Sequence, residues 1–258
     1  MLFRSRRDAQ GLQLGPRATV ELDLGAGFSV TAAYGKGFRS PQALSLGAGE
    51  SAPFAVVHAG EVGGRVRRWF GSLGVTAFAT HVDRDLVFVP ELGTNVVNEA
   101  AAATTRVGVA ALVRATPLRG LEVVASGTWA RATYDANGRL VPYVPPLVGR
   151  VDCAFSREVG RLFQRPLAVS AGVGATAIGE RPLPFSERSP AWLVIDAGAS
   201  VRLGAVELGL SARNLTDARW RDGVFAYPSD FNPAPGGSAV PAAHFTAGRP
   251  LTVLGSLT

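Results

Sequence analysis

A two-residue alternation of apolar and polar side chains runs along nearly the whole chain. Val206, Leu208, Leu210 and Ala212 alternate with Glu207, Gly209, Ser211 and Arg213. Leu193, Ile195, Ala197, Ala199 and Val201 alternate with Asp196, Gly198, Ser200 and Arg202. This period belongs to strands with one apolar and one polar face. The polar face carries full charges, and the apolar face is smooth, without large aromatic residues. Such a sheet suits lipid on one side and water on the other. The chain therefore reads as all-β.

About eleven strands are expected, near Arg17–Leu24, Phe28–Gly35, Glu61–Arg68, Ser72–Arg84, Thr104–Ala115, Leu121–Thr133, Gly149–Arg157, Pro166–Ile178, Ala191–Arg202, Ala205–Arg213 and Phe245–Thr258. Most reach the ~9–11 residues of a tilted membrane-spanning strand. Short connections (Gly25 to Gly27, Trp69 to Gly71, Thr116 to Gly120, Glu158 to Arg165, Leu203–Gly204) alternate with long ones. The long ones run from Lys36 to Gly60, Asp85 to Ala103, Tyr134 to Val148, Gly179 to Pro190 and Asn214 to His244. Short turns on one side and long loops on the other describe an outer-membrane barrel. Tyr34, Trp129 and Trp192 fall at the long-loop ends, and Phe28, Trp69, Phe70 and Phe163 at the short-turn ends. They are expected to form two aromatic girdles.

Energy selects the face that meets lipid. An arginine there costs about 2–4 kcal/mol at the midplane. An inverted sheet would expose Asp196, Arg202, Glu207 and Arg213 together, a large fraction of a total stability of about 5–15 kcal/mol. The charged face is therefore expected to point inward, to water.

Composition agrees. Charged residues make up 18% of the 258 residues, below the ~25% of soluble domains, and mean hydropathy is +0.18. The net charge is +6. Lys36 is the single lysine, and the arginines are scattered one or two per segment, which speaks against a nucleic-acid partner. Cys153 stands alone on an apolar face with Val151 and Phe155, so neither an intrachain disulfide nor a cysteine zinc site is expected. No run reaches the ~18 apolar residues of a membrane helix, and the stretch after Met1 has no apolar core of a signal peptide.

Three motifs carry a family resemblance. Tyr34-Gly35-Lys36-Gly37-Phe38-Arg39-Ser40-Pro41 resembles the YGxGFRxP signature of TonB-dependent outer-membrane receptors, which closes a rising strand and opens an extracellular loop. The glycines would turn the chain out of the sheet and Pro41 would stop ladder pairing. Ser211 to Asp217, with Asn214, Leu215 and Asp217, resembles the xNLxD element after the family's penultimate strand. Asn and Asp there can start a turn. Trp220 to Phe231 and Pro241 to Pro250 resemble the last long loop and closing strand.

The resemblance implies that residues 1–258 are the C-terminal half of the receptor's β-barrel, an antiparallel segment of a larger, 22-stranded barrel. The plug domain, the TonB box, the first half of the barrel and the terminal aromatic residue are not in the chain. It further implies the outer membrane of a Gram-negative bacterium as location. The implied role is TonB-energised uptake of a scarce solute such as a ferric siderophore or cobalamin. Outer-membrane lipid and the barrel-assembly machinery are the implied partners, with TonB only where the plug is present. Neither a cofactor nor a catalytic or metal-binding group is expected. Arg39, Arg219, Arg221, Asp222 and Tyr227 are candidate ligand contacts, since guanidinium forks suit anionic chelates. A small stand-alone channel or structural barrel is one alternative, and a soluble β-sandwich binding module another.

The remaining signals are weaker. His58, His81 and His244 lack ligand spacing. Gly172-Val173-Gly174 reads as small residues facing a lumen, and Asp83-Arg84-Asp85 as a solvated rim.

Overall fold

The computed structural model describes residues 14–39, 55–88, 99–230 and 240–258. Its strands are β1 (Arg17–Gly25), β2 (Phe28–Arg39), β3 (Ala55–Arg68), β4 (Gly71–Phe88), β5 (Glu99–Leu118), β6 (Leu121–Tyr134), β7 (Leu147–Leu162), β8 (Arg165–Ile178), β9 (Arg181–Pro182), β10 (Arg188–Ser189), β11 (Trp192–Leu203), β12 (Val206–Arg213), β13 (Arg221–Ser229), β14 (Val240–Ala247) and β15 (Thr252–Leu257). Eleven of them form one antiparallel sheet in the order β1-β2-β3-β4-β5-β6-β7-β8-β11-β12-β15. β9 pairs with β10, and β13 with β14, as separate two-stranded sheets. β1 and β15 are the open edges.

The ladder sorts side chains into two continuous faces. Directly opposed residues lie on one side of a sheet. Following the register from strand to strand joins Val20, Ala32, Val62, Ala77, Val109, Trp129 and Leu147 into one face. The same face continues through Ala177, Leu193 and Ile195 to Ala212 and Val253. Glu21, Glu61, Glu122, Asp152, Asp196 and Glu207 all stand on the other face. Leu208, Leu210, Val151 and Val20 are exposed, because among the described residues no layer packs against this apolar face.

The strands differ from expectation in three ways. β2 continues to Arg39 and β3 begins at Ala55, joined by register up to Arg39↔Ala55. β4 and β5 also extend well beyond the expected ends. These extensions lie outside the alternating stretches, so pairing continues without an apolar–polar period to announce it. Second, the expected turn from Glu158 to Arg165 tightens to Phe163 and Gln164, both at positive φ (49° and 64°). That is the backbone of a two-residue hairpin turn matching strand twist. Third, the expected last strand, Phe245–Thr258, is two strands. β14 ends at Ala247 and pairs with β13, inside the expected Asn214–His244 loop, while β15 pairs with β12. Gly248-Arg249-Pro250-Leu251 separates them, and proline supplies no amide to a ladder.

Trp192 also departs from the girdle reading. It sits opposite Ile178 on the polar face, where its ring lies 4.6 Å from that of Trp220. Tyr34, Trp129 and Phe28 do stand on the apolar face.

Candidate functional site

The long-loop end holds most of the ordinary packing in the molecule. Leu183, Val224 and Ala226 are buried together, with Tyr143 and Phe185 against them. These residues come from three connections: β6–β7, β8–β11 and the β13–β14 hairpin. Tyr143 ties them with polar bonds. Its amide donates to Pro182 O at 2.8 Å. Its hydroxyl donates to Ala226 O and accepts from Ala226 N, each at 3.3 Å.

The Asn214–Asp217 motif is a clasp between the sheet and this hairpin. Asn214 is 1% exposed. Its amide donates to Asp196 Oδ1 at 2.9 Å. Its Nδ2 donates to Ala218 O and Arg249 O, and its Oδ1 accepts from Ala218 N, all at 2.9 Å. Leu215 N donates to Ile195 O at 2.7 Å, and Asp217 Oδ1 accepts from Leu251 N at 3.1 Å. Asn214 and Asp217 adopt φ of 51° and 48°, a region these two residue types tolerate best after glycine. One motif thus joins β11, β12, the entry to β13 and the approach to β15. The Trp220 indole adds a bond to Arg249 O at 3.1 Å. A Cβ on Gly248 would stand 2.2 Å from the Trp220 ring.

The first motif behaves differently from expectation. Tyr34 through Arg39 remains in β2, paired with β3 throughout. Gly37 is paired with Val57 and the ladder runs on to Arg39, so this glycine does not turn the chain out of the sheet here. Tyr34 shares a 2.7 Å hydrogen bond with His58 Nδ1. Pro41 lies outside the described residues, and Arg39 is placed only as the last residue of β2.

The other candidate contacts cluster on one hairpin. Arg219 is exposed just before β13. Arg221 lies 4.4 Å over the Phe245 ring. Asp222 is exposed at the register shift between Arg221 and Gly223. Tyr227 stacks on His244, with centroids 3.9 Å apart and planes 9° apart. Arg39 belongs to the second strand of the sheet and is not part of this group.

Two polar networks on the inner side of the ladder escaped the sequence reading. Asp85, expected in a solvated rim, is buried. It accepts from Thr104 Oγ1 at 2.9 Å and pairs with Arg106. Lower down, Arg150 meets Asp152 at 2.6 and 2.7 Å and Thr176 Oγ1 at 2.7 Å. A Cβ on Gly174 would fall 2.6 Å from Asp152 Oδ1, so this glycine makes room for the pair. The spacing Asp152, Gly174, Asp196 on three adjacent strands was the available signal, but only the register aligns them.

The model of TonB dependent receptor-like β-barrels matches residues 4–215. The chain belongs to the TonB-dependent receptor family. Solved receptors share its fold. The ferripyoverdine receptor of the outer membrane of Pseudomonas aeruginosa superposes with a TM-score of 0.71 at 15% identity, covering 96% of this chain and 33% of the receptor. The ferric citrate transporter FecA gives 0.69 at 15% identity, over 94% of this chain and 37% of that one. The import receptor Fiu from E. coli K12 gives 0.69 at 15% identity, over 96% and 35%. No curated protein sequence matches the chain. The chain spans about a third of the length of these receptors, and its eleven-stranded sheet corresponds to part of their barrels.

Proposed function

We propose that this chain is the C-terminal barrel half of an outer-membrane receptor for TonB-energised uptake of a scarce solute, such as a ferric siderophore or cobalamin. One observation carries the reading: a single apolar face runs unbroken across all eleven paired strands, while the strand carboxylates quoted above stand on the opposite face. Lipid on the first face and a water-filled lumen on the second satisfy both. The structural relatives point the same way. They include a ferripyoverdine receptor and a ferric-catecholate import receptor.

The open edges support a segment of a larger barrel. In an antiparallel sheet of eleven strands, β1 and β15 run in the same direction. Pairing them directly would make a parallel seam. An odd number of further strands closes the barrel antiparallel, giving the even total usual for bacterial barrels. Left in hydrocarbon, each unsatisfied edge group would cost several kcal/mol.

In this reading the β13–β14 hairpin and the latched loops stand over the outer mouth. Arg219, Arg221, Asp222 and Tyr227 contact the solute there, with Arg39 across the sheet from them. TonB engages only through a plug domain.

Uptake assays test this. A strain with the gene disrupted should lose accumulation of one radiolabelled solute from a panel of ferric siderophores and cobalamin. Restoring the gene with Arg219→Ala and Arg221→Ala together should recover only part of the uptake. Unchanged uptake of every member of the panel after disruption would overturn the proposal.

A further inference from the structure

The short-turn end of the sheet carries a charge pattern that solute uptake does not use. Its connections are Ala26-Gly27, Trp69-Phe70, Arg119-Gly120, Phe163-Gln164 and Gly204-Ala205. None contains a carboxylate. Tracing the register puts Arg68, Arg157 and Arg165 on the apolar face at this end, whereas Asp23, Glu122, Glu158 and Glu207 point to the other side. All three arginines are exposed. Among the described residues, no ion pair joins any of them, or Arg119, to a carboxylate.

Each outward arginine lies against the glycine of a neighbouring turn. A Cβ on Gly27 would stand 3.2 Å from Arg68 Nη1, one on Gly120 3.5 Å from Arg157 Cβ, and one on Gly204 3.2 Å from Arg165 Cδ. Arg68 also stacks over the Phe28 ring at 4.6 Å and donates to Arg67 O at 3.0 Å. At Gly204 the bare turn meets the Arg165 stem and at Gly120 the first side-chain carbon of Arg157, whereas at Gly27 it meets the Arg68 guanidinium, which also donates to Ala26 O. Trp69 and Phe163 flank them at 89% and 82% exposure. Aromatic girdles of this kind mark the membrane interfaces of outer-membrane barrels.

The geometry points to a seat for anionic phospholipid along this rim. The phosphate-bearing headgroups pair with Arg68, Arg119, Arg157 and Arg165, and their acyl chains lie on the apolar strands above. Guanidinium binds phosphate through two parallel N–H donors, and among the described residues the outward face of this rim carries no carboxylate. The seat belongs to the leaflet at the short-turn ends, opposite the solute-binding loops. This inference rests on the outer-membrane reading, because it needs the apolar face to meet lipid.

Native mass spectrometry of the full chain in neutral dodecyl maltoside micelles tests it. Phosphatidylglycerol should remain bound at concentrations where phosphatidylcholine does not. Changing Arg119, Arg157 and Arg165 together to Gln should weaken phosphatidylglycerol retention about tenfold or more. Arg202→Gln with Arg213→Gln, on the opposite face, should leave it unchanged. Arg157→Gln alone, with wild-type strand content by circular dichroism, guards against a misfolded triple variant and should give a smaller loss. Equal retention of the two lipids, or equal loss in the opposite-face variant, would overturn the seat. So would full displacement by millimolar inorganic phosphate, which would mean a phosphate site without lipid. A chain that folds and stays monomeric without detergent would instead sink the outer-membrane reading itself.

Discussion

The wall of the sheet and the long-loop cap are stabilised by opposite means. Along the wall, Val20, Val62, Leu208 and Leu210 remain more than half exposed, and order comes from the hydrogen-bonded ladder plus an apolar solvent on one side. In the cap, Leu183, Val224, Ala226 and Asn214 are buried within the protein itself, as in a small water-soluble domain. The wall therefore tolerates any apolar residue and rejects charge, whereas the cap depends on particular shapes and partners.

Substitutions can break or sharpen that contrast. The largest effect is expected for Val151→Arg in mid-wall: about 2–4 kcal/mol of lost stability in lipid, read as a lower urea midpoint for unfolding from bilayers. Ser126→Arg, beside it on the polar face, should cost less than about 0.5 kcal/mol, as for a solvated surface site. Equal costs at the two positions would erase the assignment of faces.

Asn214→Ala should cost about 1–3 kcal/mol, since the part-buried N–H and C=O of Ala218 lose their partners and Arg249 O keeps only the Trp220 indole. Hydrogen exchange should rise across β13 and β14, with β3 to β6 unaffected. Protection unchanged in β13 would mean that the clasp does not hold the hairpin. Gly248→Ala forces Trp220 to move, an overpacking cost of about 1–3 kcal/mol. Its reporter is a change in near-ultraviolet circular dichroism from the Trp192–Trp220 pair. Tyr143→Phe should be mildest, about 1 kcal/mol for its bonds to Ala226, confined to faster proteolysis of the cap loops. A global loss of strand signal would show that cap and wall are one cooperative unit.

The same contrast explains what the sequence made legible. In the wall, alternation and loop lengths identify strands and faces because lipid and water impose opposite demands on neighbouring residues. Arg157 could be placed on the outward face simply by counting from Cys153 and Phe155. Outside the bilayer that demand disappears, so Ala55–Gly60 and Lys36–Arg39 gave no sign of remaining in strands. The cap depends on partners distant in sequence. Asn214 meets Arg249, and Tyr143 meets Ala226, through topology alone. A local motif suggested a turn at Asn214 but not the four segments it joins. Trp192 was misassigned for a related reason: its position near a loop was visible, but its side of the sheet required the register. Arg219, Arg221, Asp222 and Tyr227 could be grouped because they share one short segment, whereas Arg39 could not be related to them.

The β13–β14 hairpin is held by two unlike fasteners. At its root the Asn214 clasp is a set of polar bonds. At its flank Val224 and Ala226 are held mainly by apolar contact with Leu183, beside the two Tyr143 bonds to Ala226. Apolar association weakens on cooling, so the two fasteners part company with temperature. In the cold the flank loosens before the root, and the hairpin comes to hang on its polar bonds, the Asn214 clasp and the two Tyr143 bonds to Ala226.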